Sequence, residues 1–250
     1  MYFLDEKSTS KYYFPMGKYE QSCSTCQSRD KSLFHCIETD FLEKISNEKE
    51  GIIFKKGTIL FKAGEEAQSF FCIKSGLVRT YRMSGHGKEQ TFQIKTTGDW
   101  VGCRDAILSD VYFYTAVCMN DVQACSFPRD VIMELNRDPK FQHELLVQMA
   151  KSWRDSEIQI YSLGTKQIHS KLAEFLITFF KSNDCNTELT LSVTREIIAS
   201  IIGTTTESVI RSLSDFKARD WIDIEKNKII FKNVEALQSI AEINEHMISY

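Results

Sequence analysis

Between Gly51 and Phe127 the chain runs in short apolar stretches: GIIF, TILFKA, SFFCIK, LVRTYRM, QTFQIK, TAVCM and QACSF. β-Branched and aromatic residues dominate them, and Gly57, Gly64, Gly76, Gly85, Gly87, Gly98 and Gly102 punctuate them. Short strands at this spacing, parted by glycine turns, predict a sandwich or barrel. His86, between two glycines in SGHGKEQ, marks a hairpin tip. Ahead of this block, residues 37–49 (IETDFLEKISNEK) predict a short helix, and the polar and aromatic residues 1–22 predict a loosely ordered lead-in.

After Pro128 the period becomes helical. Pro139 suits a first helical turn, where its missing N–H costs little. From there Leu146, Met149, Trp153, Ser156, Ile160 and Leu163 recur at 3-4-3-4-3 spacing, a heptad seam with Ser156 as its polar break. Such a helix, over 139–164, packs either on its own domain or on a second copy. Lys151, Arg154, Asp155 and Glu157 on its other faces favour the second copy. Residues 168–182 predict another apolar helix, SNDCN a loop and ELTLS a short strand. Two helices, 192–201 and 205–218, flank Ile202-Gly203-Thr204, and WIDIEKNKIIF is a hairpin turned at Lys226-Asn227-Lys228. Residues 238–250 predict a short helix with a frayed end. Helix, strand, helix, turn, helix, hairpin is the order of a winged helix-turn-helix.

Composition narrows the function. The chain has 250 residues, 42% of them hydrophobic, enough for one large or two modest cores. Its net charge of −3 excludes a wholly basic nucleic-acid binder but leaves room for a local basic face. No apolar run reaches the length of about 18 residues that a membrane span needs, and MYFLDEKSTSKYYFP lacks the pattern of a secretory signal. A cytoplasmic protein is therefore expected. There, eight cysteines point to metal, redox chemistry or plain thiols rather than disulfides. The chain shows no Ser/His/Asp order, P-loop or dinucleotide glycine pattern, so catalysis is not expected. His35, His86, His143, His169 and His246 form no Cys/His ligand spacing.

The helix after Gly203 opens with Thr204-Thr205-Thr206-Glu207, a threonine cap followed by an acid. In a helix-turn-helix the first turns of this helix enter the major groove. Glu207 and Arg211, four apart, share a face; Arg can serve guanine O6 and N7, and Glu can accept from cytosine N4. Their alternative is an exposed ion pair. Ser208 adjoins them, Thr204 and Thr206 suit phosphates near the helix start, and Lys217 and Arg219 suit the backbone further out. Ile198, Ile202, Val209 and Leu213 are assigned to the core between the helices.

The segment LTLSVTREIIASIIGTTTESVIRSLSDFKARDWI resembles the DNA-binding motif of the CRP/FNR superfamily of bacterial regulators. KKGTILFKAGEEAQSFFCIKSGLVRTY resembles its β-roll, and 139–164 its dimerisation helix; the likeness runs from Cys23 to about Leu237. It implies an α+β chain in four parts. These are a cysteine-containing segment (1–36), a β-roll of the cyclic-nucleotide-binding jelly-roll type (37–138), a dimerisation helix (139–166) and a winged helix-turn-helix (167–250). It further implies a homodimer on a palindromic double-stranded DNA site, with RNA polymerase as a partner, and base contacts by Glu207 and Arg211. Where the FNR branch has serine, this chain has Ile210.

The resemblance also frames the effector. Cyclic-nucleotide members hold the phosphate with an arginine followed by a small hydroxyl residue; here Tyr114-Thr115 stands in that place, with Arg79 and Arg104 off the motif, so a cyclic nucleotide is not expected. The FNR branch ligates a [4Fe–4S] cluster with three N-terminal cysteines and one distant one, and takes thiolates as ligands. By that likeness the ligands are Cys23 and Cys26 (Cys-x2-Cys), Cys36 within SLFHCI, and Cys125 within QACSFP, with a spacing of nine between Cys26 and Cys36. Cluster-free relatives share Cys-x2-Cys followed by an arginine and Ser-Leu-Phe, here Arg29 and Ser32-Leu33-Phe34. Thiol redox, zinc, no N-terminal cofactor, or a heme or small ligand near Phe70, Phe92 and Trp100 therefore remain alternatives to oxygen or nitric oxide sensing by a cluster. Cys72 and Cys118 are assigned to strand core, Cys103 is a spare thiol and Cys185 lies in a polar loop.

Overall fold

The computed structural model describes residues 17–182, 185–190, 193–226 and 228–241. The chain divides into two compact units, the boundary falling between Ser152 and Trp153.

In the first unit, β1 (Gly17–Tyr19) is followed by two 3-10 turns at Arg29–Lys31 and Leu33–Cys36, then α1 (Thr39–Ser46). Strands β2 (Glu50–Phe54), β3 (Ile59–Phe61), β4 (Ser69–Ser75), β5 (Val78–Met83), β6 (Glu89–Lys95) and β7 (Trp100–Val101) come next. Then come α2 (Cys103–Leu108), β8 (Thr115–Cys118), β9 (Val122–Pro128), α3 (Arg129–Leu135) and α4 (Pro139–Thr165). The strands form a five-stranded sheet, order β1-β2-β9-β4-β7, and a four-stranded sheet, order β3-β8-β5-β6. Every pairing is antiparallel.

The five-stranded sheet is buried on both faces, which explains the unbroken apolar text of SFFCIKS. Side chains alternate across a strand. Phe71 and Ile73 join one core with Phe54, Phe61, Val78 and Ala116. Phe70 and Cys72 join another with Phe34, Leu42, Ile45, Cys125, Phe127, Ile132 and Phe141. The first is the core of the roll. The second is a lid, in which the cysteine-bearing segment, α1, α3 and the start of α4 cover the sheet's other face.

α4 carries the heptad seam, and the boundary between the units falls within it. The second unit continues with α5 (Ile168–Lys181), β10 (Glu188–Thr190), α6 (Arg195–Ile202), α7 (Thr206–Ala218), β11 (Ile222–Glu225), β12 (Lys228–Phe231) and α8 (Val234–Ala241). The order β10-β12-β11 makes a three-stranded antiparallel wing. Ser162 and Lys166 fasten the end of α4 to this unit. The Ser162 hydroxyl donates to Glu174 at 2.6 Å, and the buried Lys166 ammonium reaches Glu174 at 3.0 Å and the Ala241 carbonyl at 2.7 Å.

Several boundaries differ from expectation, each for a local reason. The lead-in is not loose throughout: Gly17–Tyr19 pairs with Gly51–Ile53, while residues 1–16 lie outside the described residues. The early helix is shorter than 37–49, α2 interrupts the β text, and α3 lies in the stretch after Pro128 for which no element was expected. α2 is announced only by Gly102, which sits at φ 83. Lys228 belongs to β12 rather than to the turn, Lys226 is left-handed at φ 54, and Asn227 lies outside the described residues. The last helix starts at Val234, and residues 242–250 lie outside the described residues. Phe70 and Trp100 stack at 4.9 Å in the lid core, whereas Phe92 packs on Phe113 at 5.7 Å. Phe70 and Trp100 thus belong to the lid core, while Phe92 has its ring partners in Phe113 and Tyr114.

Candidate functional site

The thiol site is built by sheet register. Tyr19 lies opposite Gly51, Gly51 opposite Cys125, Cys125 opposite Cys72, and Cys72 opposite Trp100. Residues opposite one another across a ladder face the same way, so this row presents its side chains to the lid. Gly51 leaves the notch that Tyr19 occupies; a methyl there would meet the Tyr19 carbonyl and ring. The Tyr19 hydroxyl lies 3.3 Å from the Cys125 sulfur, and the Lys74 ammonium sits 4.6 Å from the Tyr19 ring centre.

Over this row lies the Cys-x2-Cys turn. Its geometry is held by Arg29 N–H to Cys26 O at 3.0 Å, by the Cys23 amide donating to the Ser46 hydroxyl at 3.0 Å, and by a 3.0 Å contact between the Cys26 sulfur and the Ser28 hydroxyl. Lys49 donates to the Gln21 carbonyl at 2.6 Å and pins the approach. Between turn and sheet is a cavity of about 20 Å³, lined by Cys23, Cys26, Cys72, Cys125, Arg29 and Phe34, among others.

Cys23, Cys26 and Cys125, three of the four ligands the resemblance implies, thus meet at one cavity. Cys36 is not among its lining residues. The Cys36 thiol donates to the Leu33 carbonyl at 3.1 Å, and the charges nearest in effect are those of Glu144, Asp138 and Lys140. Cys72, assigned from sequence to core alone, is buried and also faces the cavity. Cys103 and Cys118 are buried, and burial pushes each thiol up to about 12.

Burial is also the first cause of the raised pKa of Cys23, at about 11, and of Cys125 and Cys72; neighbouring thiols add to it, while Lys49 opposes it at Cys23 and Cys125. At neutral pH these groups are therefore protonated. A metal binding them must release protons, so its affinity rises with pH up to that range. Two features favour anionic sulfur nonetheless. Lys49 and Lys74 supply positive charge, and the buried Arg29 Nε has no hydrogen-bond partner among the described residues.

Tyr114, which stands in the place of the phosphate-binding arginine, is engaged within the roll. Its hydroxyl accepts from the Gly102 amide at 3.3 Å. Arg79 donates to Thr91 at 2.7 Å and to Glu89 at 2.5 Å; Arg104 pairs with the buried Asp105 at 2.9 Å. Both arginines are thus already matched by carboxylates.

In the second unit the exposed face of α7 is set by local signals. Gly203 adopts φ 71 and ends α6. Thr205 caps α7, its hydroxyl accepting from the Ser208 amide at 3.3 Å, and the Ser208 hydroxyl contacts the same oxygen at 3.1 Å. Thr205, not Thr204 or Thr206, is the capping threonine. The helix expected over 192–201 begins at Arg195, capped by Thr194. Val209, Leu213 and Phe216 are buried, as are Ile198 and Ile202. Glu207, Ile210, Arg211 and Ser214 follow at 3-1-3 spacing on the exposed side. No ion pair among the described residues joins Glu207 to Arg211, so both remain available to a ligand. Thr204, Thr206 and Ser208 are half-buried; Lys217 is exposed and pairs with Asp223 at 2.7 Å.

Along α4, Leu146 is 67%, Met149 48%, Trp153 71% and Ile160 68% exposed; Ser156 is exposed and Leu163 half-buried. Four large apolar side chains at heptad positions are thus exposed to solvent.

Comparison with known proteins agrees with this division. Residues 52–138 match the cyclic nucleotide-binding domain family and residues 170–240 the Crp-like helix-turn-helix domain family. The chain is 28% identical to the fumarate and nitrate reduction regulatory protein of Vibrio cholerae over 230 residues, covering 90% of this chain and 91% of that one. It is 28% identical to the protein of the same name from Escherichia coli over 226 residues, covering 88% and 89%. Among solved structures, FixK2 from Bradyrhizobium japonicum superposes with a TM-score of 0.70 at 20% identity, over 78% of this chain and 98% of that one. A CRP-family transcriptional regulator from Thermus thermophilus gives 0.63 at 21% identity, over 76% and 95%. No helix among the described residues is long and apolar enough to cross a membrane.

Proposed function

Because this chain belongs to the CRP/FNR superfamily of DNA-binding transcription regulators, we propose that it acts as a cytoplasmic homodimer on palindromic DNA, its affinity set by a [4Fe–4S] cluster that responds to oxygen or nitric oxide. The observation that carries this reading is the gathering of thiols at one cavity from positions as far apart as Cys23 and Cys125. A bound cluster supplies an inorganic core that oxygen and nitric oxide attack. The donor set suits it: thiolates are its usual ligands, Lys49 and Lys74 offset their charge, and the unpartnered Arg29 Nε–H is free to face a sulfur.

The chain's own residues link that cavity to the seam. Phe34 lines it and packs on Trp100 at 4.8 Å; Trp100 in turn meets Phe141, in the first turn of α4, at 5.9 Å. Ordering the Cys23–Cys36 segment therefore bears on the base of the helix that carries Leu146, Met149, Trp153, Ser156, Ile160 and Leu163. Pairing two such helices sets the spacing of the two α7 helices, which must match half-sites about one helical turn apart, roughly 34–36 Å. On each half-site Glu207 and Arg211 serve base edges, and Thr204, Thr206, Ser208 and Lys217 serve phosphates. The exposed Ile210 offers an apolar contact suited to a thymine methyl. RNA polymerase is the partner at the promoter.

The test is anaerobic reconstitution of the full chain with ferrous iron and sulfide, followed by visible absorbance, iron and sulfide content, and DNA binding before and after exposure to air. Visible charge-transfer bands that bleach in air together with DNA affinity are expected. Wild-type protein that retains no iron, while a thiol oxidant alone changes DNA binding, overturns the cluster in favour of thiol redox control.

A further inference from the structure

Cys23, Cys26 and Cys125 supply three sulfurs to the cavity, and two cysteines compete for the fourth place. We propose that Cys72, not Cys36, is the fourth ligand, so that the site joins one Cys-x2-Cys turn to one cross-strand cysteine pair. This rests on the cluster reading above and names its ligand set.

Register decides it. Cys72 and Cys125 are opposite partners on β4 and β9. Such partners face the same side of a sheet with Cβ atoms about 4.5–5.5 Å apart. Both line the cavity, together with Cys23 and Cys26. Cys36 ends the Leu33–Cys36 turn, donates a hydrogen bond to the Leu33 carbonyl at 3.1 Å, and is not among the residues that line the cavity.

A single ion and a cluster ask for different arrangements of the four thiols. Among the described residues, no three His, Cys, Asp or Glu side chains converge tightly enough to hold one metal ion. A tetrahedral zinc draws every sulfur to about 2.3 Å from one point. A cluster takes one thiolate at each iron and so needs sulfurs standing apart around a shared space. The cavity, about 20 Å³, has roughly the room of one water. Loading must therefore move a wall. The Cys72–Cys125 pair is fixed by the ladder, so the movable part is the Cys23–Ser28 turn, which is held by the Ser46 and Lys49 bonds at its start.

The experiment is anaerobic iron and sulfide loading of the full chain as wild type, Cys36→Ser, Cys72→Ala and Cys72→Ser, with circular dichroism to confirm folding. Wild type and Cys36→Ser are expected to hold about four irons each. Both Cys72 variants are expected to fall at least about tenfold in retained iron, the scale on which metal sites respond to damage. A second readout needs no variant: loaded wild type is alkylated without denaturation and the modified cysteines are located by mass spectrometry. Cys36 is expected to be labelled; a protected Cys36 overturns the proposal, and this arm decides the matter if the Cys72 variants do not fold. Loss of iron in Cys36→Ser with retention in the Cys72 variants, or retention in all of them, overturns Cys72 as ligand and leaves the cluster standing. Wild type that binds zinc without sulfide, lost in the Cys72 variants alone, keeps the ligand set and overturns the cluster. Wild type that binds neither overturns both.

Discussion

The thiol cavity and the reading helix are organised in opposite ways. In α7 every functional side chain lies within a few residues of the next, and the signals that orient it (Gly203, the Thr205 cap, the buried Val209 and Leu213) sit in the same stretch. The thiol site draws Cys23, Cys72 and Cys125 from three distant places and depends on which strand lies beside which. A site on one helix is fixed by a 3.6-residue period; a site across a sheet is fixed by register, where a slip of one residue turns every side chain to the other face. Damage to the first kind should stay local, whereas damage to the second should spread through the sheet.

The largest effect expected lies in the seam that connects the two functions. Trp153→Glu with Ile160→Glu places carboxylates on surfaces now 71% and 68% exposed. The folded chain should barely notice, but pairing with a second copy should fail. Losing the second half-site contact should cost roughly 10²–10⁴-fold in DNA affinity, with iron loading unchanged. Light scattering and DNA titration check this; a dimer that survives both charges breaks the link between α4 and the reading helices. Next in size is Arg211→Ala, expected to weaken the specific site by about 1–3 kcal/mol, roughly tenfold to a hundredfold, with much less effect on random DNA. Lys217→Ala should change less, because its ammonium is already shared with Asp223 at 2.7 Å. Equal losses on specific and random DNA for Arg211→Ala would remove it from the base-reading face.

That contrast also explains what could be seen before any fold was known. The heptad of α4, the turn at Gly203 and the core positions Ile198, Ile202, Val209 and Leu213 were legible because each depends on neighbours three or four residues away. The strands were legible as a class from their glycine spacing. α2 and α3 were not, since Cys103–Leu108 lies within β text and each helix, Cys103–Leu108 and Arg129–Leu135, is too short to show a period. β1 was missed because its pairing with β2 is a tertiary fact, hidden in one small residue: Gly51 is the only size that admits Tyr19. Cys72 looked like strand core for the same reason, as its opposition to Cys125 lies in register alone.

Gly51→Ala tests that dependence on register. Its methyl would press on the Tyr19 carbonyl and ring, and backbone atoms cannot step aside as a flexible side chain can. Overpacking of this kind costs about 1–3 kcal/mol. β1 should detach, the Tyr19–Cys125 contact should be lost, and hydrogen exchange at Gly17–Tyr19 should quicken. Iron held at the cavity should become more labile, while affinity of the isolated half-site contact stays unaltered. Tyr19→Phe is the control, since it removes the hydroxyl next to Cys125 without disturbing the strand pairing. Slow exchange at Gly17–Tyr19 in Gly51→Ala would show that β1 does not need the notch.

The smallest effect expected is that of Thr205→Ala. The Thr205 hydroxyl satisfies the Ser208 amide, one of the N–H groups that a helix start leaves without a partner. Removing a threonine cap costs about 1 kcal/mol, or about 4–8 °C in the melting temperature of a domain of this size. Because the cap sits two residues before Glu207 and six before Arg211, the first turn of α7 should fray and DNA affinity should fall by a few-fold, less than for Arg211→Ala. The hydroxyl's bonds run to Ser208 in the same helix, so iron content and exchange at β1 should match wild type. Thr205→Asp sharpens the point. An aspartate caps as well as a threonine and favours the helix dipole, so stability should recover, while its charge near the phosphates should still weaken DNA binding. A variant that regains stability without regaining affinity separates the role of Thr205 in folding the helix from the role of the groups around it in meeting DNA.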